Sequence, residues 1–245
     1  MTLARRIVAE GLGTALLLAV VVGSGIMAER LAGGNVAIAL LANALATGAG
    51  LVALILMFGA ISGAHFNPVV TLSEAWQRKL CARDVLPYIL AQLAGAFAGV
   101  AAAHGMFGEP LFFASQHVRT GPAQWWSECV ATFGLVAVII GCSRSRPAVT
   151  PFAVAAYITS AYWFTSSTSF ANPAVTLARA ATDTFAGIRP VDAPGFILAQ
   201  LAGAAMATVL FCWLYPAAPA EATAATIPSG ERATAGSAVP DKASA

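Results

Sequence analysis

Two stretches of this chain answer each other: residues 62–75 read SGAHFNPVVTLSEA, and residues 167–180 read STSFANPAVTLARA. In each, a run of small and polar residues leads into Asn-Pro, and a short apolar segment follows. Asn is a favoured helix N-cap, and Pro fits the first helical turn, where its missing N–H leaves no bond unmade. Each pair therefore predicts a helix start, at Asn67 and at Asn172. The segments Asn67 to Trp76 and Asn172 to Ala181 are ten residues each, or about 15 Å of helix. Neither crosses about 30 Å of hydrocarbon alone, but two meeting tip to tip do.

Around these two segments lie six longer apolar runs: Val8 to Ala28, Val36 to Ala60, Val85 to Met106, Gln124 to Cys142, Val149 to Thr165 and Gly195 to Tyr215. The composition agrees with a membrane protein. Of 245 residues, 58% are hydrophobic and 10% charged, against about 25% charged in an ordinary soluble domain. A formal net charge of +2 is too balanced to draw in nucleic acid. Small residues such as Gly95, Gly99 and Gly203 suit close helix contact in lipid. Met1 to Arg6 followed by an apolar run has the polarity of a signal peptide. The run contains Glu10 and lacks a convincing cleavage site, so it is read as a retained first span. Residues 216–245, rich in Ala, Pro, Thr and Glu, are expected to form a disordered cytoplasmic tail.

The repeat extends beyond the Asn-Pro pairs. Glu10 in AEGLGTALLL is answered by Glu128 in SECVATFGLV, and QLAG recurs at 92–95 and 200–203. The expected fold is an all-α membrane protein with six transmembrane helices and two re-entrant half-helices. It forms one domain over 8–215, with halves at about 8–106 and 124–215. Three spans separate matching points, so the halves are inverted relative to each other, an arrangement found in transport proteins. Arg5, Arg6, Arg78, Lys79, Arg83, Arg144 and Arg146 fall on one side of the membrane; Arg30, Arg119, Arg179 and Arg189 fall on the other. The bias places both termini in the cytoplasm.

Irregular backbone within a membrane must be buried by protein or line a cavity. The tracts before the two Asn residues are such backbone, and their carbonyls, at Ala64, His65, Phe66, Thr168, Ser169 and Phe170, are expected to form a ladder along a pore. Asn67 and Asn172 would then present two side-chain amides at mid-membrane. The positive ends of two helices point to the same place. Such a centre donates hydrogen bonds to a neutral polar solute and disfavours cations.

AEGLGT at 9–14, SGAHFNPVVT at 62–71, NPAVT at 172–176 and the repeated QLAG together resemble the major intrinsic protein family, the aquaporins and aquaglyceroporins, over about residues 8 to 215. The resemblance implies that Asn67 and Asn172 form the central pore constriction and that Glu10 and Glu128 hold the re-entrant loops. It assigns His65 to tying down its loop. The first motif reads NPV, with Val69 where the family usually has Ala, which adds bulk at a helix tip without removing a pore donor. Family positions for the outer filter fall on Thr47, Ser160, Ser169 and Val175. Water channels of the family usually carry an aromatic, a histidine and an arginine there, and glycerol channels keep an aromatic wall and the arginine. Val175 stands in the arginine's place. Arg179, one turn further on, is expected to face solvent or a neighbouring subunit.

These readings predict a passive channel for small uncharged solutes such as glycerol, urea, neutral arsenite and antimonite or methylated arsenical hydroxides, with water also passing through a wide outer mouth. The partners are those solutes, water and membrane lipid, and no nucleic acid. The resemblance adds a homotetramer in an inner or plasma membrane. No cofactor or metal is implied. Cys81, Cys129, Cys142 and Cys212 show neither a disulfide framework nor metal-ligand spacing. His65, His104 and His117 suggest no zinc site or catalytic triad, so no enzyme is expected. The alternatives are an inverted-repeat secondary transporter, which needs a coupling group such as Glu10 or Glu128 aimed at the solute, or a structural membrane protein.

Overall fold

The computed structural model describes residues 1–215, and every regular element among them is helical. The expected disordered tail lies outside the described residues. Helices α1 (Leu3–Leu31), α2 (Val36–Ser62), α4 (Ala82–Phe107), α5 (Pro122–Ser145) and α8 (Ala193–Leu214) are long and apolar enough to cross a membrane. The remaining long element, α6 (Thr150–Phe164), has only 15 residues. A 3-10 turn, Pro147–Val149, precedes it, and the two together reach about 28 Å. The fifth crossing is thus shorter than its neighbours and made in two parts.

Helices α3 (Pro68–Trp76) and α7 (Pro173–Arg179) are the half-helices. Each Asn is the cap and not the first helical residue. Asn67 Oδ1 accepts from Val69 N at 3.1 Å, and Asn172 Oδ1 accepts from Ala174 N at 3.0 Å and Val175 N at 3.3 Å. The second half-helix ends at Arg179, two residues short of the sequence expectation.

The packing repeats with the sequence. Helix α1 lies against α2 and α4, and α5 lies against α6 and α8. The halves meet where α2 touches α6, α4 touches α7, and α3 touches α8. Close approach within each half needs glycine. A Cβ at Gly95 or Gly99 of α4 would run into the carbonyl oxygens of Gly11 or Ala15 in α1, and one at Gly203 of α8 would meet that of Cys129 in α5. These glycines therefore serve contacts within the subunit. Val69 is buried against Val136, Ile140, Ala204 and Ala207; two alanines make room for its extra bulk. The outer surface carries exposed apolar side chains, among them Leu12, Leu56, Leu90, Trp163 and Trp213, as a bilayer requires. All four cysteines are free.

Candidate functional site

The two loops leading into the half-helices share one backbone design. Gly63, Ala64 and Phe66 have φ of 92°, 51° and 49°, and Thr168, Ser169 and Ala171 have φ of 60°, 52° and 47°. These are the same three positions relative to each Asn. Left-handed backbone costs a side-chain-bearing residue about 1–2 kcal/mol, and it leaves amides and carbonyls without a helical or sheet partner. Two fully buried carboxylates take up the amides. Glu10 Oε1 accepts from His65 N at 2.9 Å and from Ser62 Oγ at 2.6 Å, and its Oε2 accepts from Phe66 N at 2.7 Å. Glu128 Oε1 accepts from Phe170 N at 2.8 Å, and its Oε2 from Ala171 N at 2.9 Å.

Each carboxylate is itself held from the last span of its half. Gln92 Nε2 donates to Glu10 Oε2 at 2.8 Å and to Thr71 Oγ1 at 2.9 Å; Gln200 Nε2 donates to Glu128 Oε2 at 2.6 Å and to Thr176 Oγ1 at 2.9 Å. Sequence reasoning assigned these glutamines no role, although their place in the repeated QLAG pointed to one. Thr71 Oγ1 gives its proton to Asn67 O at 3.1 Å. His65 Nδ1, 3.1 Å from Thr71 Oγ1, is therefore the donor of that pair.

The half-helices meet through their Asn side chains. Asn67 Nδ2 donates to Ala171 O, and Asn172 Nδ2 donates to Phe66 O, both at 2.8 Å. Each amide carries two N–H groups, so one locks the opposite loop while the other remains for a solute. The carbonyl of Phe66 gives one lone pair to Asn172 and keeps a second, and the residue borders the cavity.

A cavity of about 230 Å³ passes this junction. At one end it is bordered by Glu74, Lys79, Ser143 and Thr150, in its middle by Asn67 and Asn172, and at the other end by Thr47, Tyr162, Val175 and Arg179. Leu17, Leu51, Val154 and other apolar side chains line the wall between. Ala64, His65, Phe66, Ser169 and Phe170 border it too, but Thr168 does not. Thr168 turns its hydroxyl to Arg119 Nη1 at 3.4 Å. Ser169 Oγ is buried without a partner among the described residues.

The outer end departs from the sequence expectation at two places. Ser160 is exposed on α6, donates to Tyr157 O at 2.7 Å and does not border the cavity. Ile158 and Tyr162 do; four residues apart, they share a helix face, while Ser160 between them points away. The Tyr162 hydroxyl lies 3.2 Å from Thr47 Oγ1, so the outer ring has an aromatic wall after all. Arg179 is the second departure. Far from facing solvent, it is 2% exposed and borders the cavity beside Phe170.

Electrostatically, the cavity is asymmetric. At one end Lys79 Nζ pairs with Glu74 Oε1 at 3.2 Å. Near the other, Arg119 from the α4–α5 loop donates from Nε to Gly187 O at 2.8 Å and from Nη1 to Ser167 O at 3.3 Å. Burial pulls its guanidinium below arginine's ordinary range, opposed by Glu128 and Tyr162; an arginine there stays charged. Glu10 and Glu128 do not border the cavity. No cluster of three metal-ligating side chains occurs among the described residues.

Inverted halves, two half-helices joined by their caps and a cavity past that junction define a multi-pass integral membrane protein with a solute path inside one polypeptide. The profile described as Major intrinsic protein matches residues 1–165. Aquaglyceroporin AqpS of Rhizobium meliloti (strain 1021) is 57% identical, over 89% of this chain and 93% of that one. Aquaporin AqpM of Methanothermobacter thermautotrophicus is 32% identical, over 87% of this chain and 98% of its own length. The X-ray structure of the aquaglyceroporin from Plasmodium falciparum superposes with a TM-score of 0.64, covering 87% of this chain and 96% of that one at 20% identity, and so shares the fold. The chain belongs to the major intrinsic protein family.

Proposed function

We propose that this protein is a passive channel for small uncharged solutes, glycerol and water among them. The observation that carries the reading is the pair of Asn amides, bordering a largely apolar cavity, each with one N–H fixed across the junction and one free. A solute hydroxyl passing them exchanges its water partners for amide donors, and the apolar wall offers nothing that holds it there. The names of the relatives, aquaglyceroporin and aquaporin, support the same class.

Urea and neutral arsenite, antimonite or methylated arsenical hydroxides are the further candidate solutes. Each brings hydroxyl or amide groups that match Thr47, Tyr162 and Ser169 and needs no arginine at position 175. The subunit assembles as a homotetramer with one pore per chain, in an inner or plasma membrane with both termini cytoplasmic. A secondary transporter would need a coupling carboxylate aimed at the solute in mid-membrane; Glu10 and Glu128 are saturated by loop amides and lie off the cavity, and Glu74, at one end of it, pairs with Lys79. Purified protein in proteoliposomes tests the reading. Glycerol and water flux should exceed that of empty vesicles and ignore imposed proton and sodium gradients. Accumulation against a solute gradient would overturn it.

A further inference from the structure

Arg179 is a buried charge in the cavity wall that the reading so far leaves unused. It closes α7 four residues beyond Val175, so the two share a helix face about 6 Å apart along the axis. Its Nε donates to the Ala186 carbonyl, and its Cζ lies 3.3 Å from the ring centroid of Phe170. The Phe170 backbone N–H is fixed by Glu128, so the carboxylate that shapes the loop also places the ring beneath this guanidinium. No carboxylate forms an ion pair with Arg179 among the described residues. The charged and titratable groups nearest it are Arg119, Tyr162 and Glu128. Arg119 brings a second guanidinium to the same ring, 5.2 Å from its centroid.

We propose that Arg179, with Arg119 behind it, is the residue that excludes cations at the outer mouth, in a pore whose own ring carries Val175 in place of a charge. The proposal rests on the channel reading above. Set one turn outward, the guanidinium leaves the space beside Val175 to the solute and still raises the energy of a cation there. For a guanidinium-to-cation separation of about 6 Å, the repulsion would lower cation occupancy by about threefold at the permittivity of water and by about a hundredfold at an effective permittivity near 20. A partly dry pore lies between these limits. A purely structural role, bracing the loop through Ala186, predicts no such dependence on charge.

The test uses the full chain in proteoliposomes, with sodium entry driven by a potassium diffusion potential and water and glycerol flux measured in the same vesicles. The parent should admit sodium no faster than protein-free vesicles at pH 5.5 and at pH 8. Arg179→Gln should raise sodium entry about tenfold while water flux stays within threefold of the parent, and Arg179→Lys should remain tight. Arg179→His carries the decision if the Gln variant does not fold. Its imidazole is cationic on the acid side and neutral on the alkaline side, so sodium entry should be lower at pH 5.5 than at pH 8 in one folded protein. A leaky parent, a water-conducting Gln variant without leak, or a pH-independent His variant overturns the proposal. A parent that passes neither water nor glycerol overturns the channel reading instead.

Discussion

Replacing Glu128 by glutamine removes one charge and leaves the side chain's shape almost intact. The carboxylate accepts from Phe170 N, Ala171 N and Gln200 Nε2. In its better orientation the amide oxygen takes the Oε2 position and keeps two of these bonds. The amide nitrogen then faces the Phe170 N–H, a donor against a donor. A buried N–H left unmade costs about 1–3 kcal/mol, and each retained bond drops from charge-assisted to ordinary strength, about 1 kcal/mol apiece. The sum, about 3–5 kcal/mol, shifts the loop's closed-to-open ratio by a hundredfold or more. The released segment carries Ser169, Phe170 and the approach to Asn172. Glu128→Gln should therefore lower glycerol flux in proteoliposomes at least tenfold. It should also speed hydrogen exchange at residues 166–172, while residues 62–67, held by Glu10, exchange as before. Unchanged flux together with unchanged exchange would refute the assigned role.

Four further outcomes rest on the same geometry. Val175→Arg puts a guanidinium into the cavity beside Thr47 and Tyr162, and should cut glycerol and larger-solute flux at least tenfold while water falls less than threefold; equal flux of bulky solutes through both proteins would contradict an outer ring open at Val175. Gly95→Leu forces a side chain into the Gly11 carbonyl of α1, so folded yield in detergent should collapse. Gly105→Ala in the same helix, where a Cβ meets nothing within 4 Å, should be neutral or stabilising by about 0.5–1 kcal/mol in a melting assay. Tyr162→Phe deletes the hydroxyl facing Thr47 and should change the glycerol-to-urea permeability ratio by about fivefold, the worth of one hydrogen bond. An unaltered ratio would place that hydroxyl off the solute path.

The local chemistry of this protein is written in its sequence. The Asn-Pro pairs specify helix starts because an amide cap and a proline at the first turn act within a few residues. The recurrence of Glu10 and Glu128, and of Gln92 and Gln200, reveals inverted halves because each half must solve the same problem of buried loop amides. That position 175 holds Val can likewise be read directly, since it adjoins the motif. Tertiary structure alone decided which face of α6 meets the cavity. Each residue turns a helix by about 100°, so a count carried across the irregular loop from Asn172 back to α6 and wrong by two selects Ser160, which points away, over Ile158 or Tyr162. Only the fold could place Arg179, because the destination of a charge at a helix end depends on partners distant in space or on other strands of backbone. Here the Ala186 carbonyl and the Phe170 ring, positioned by Glu128, hold it in the cavity wall where the chain's own spacing suggested solvent.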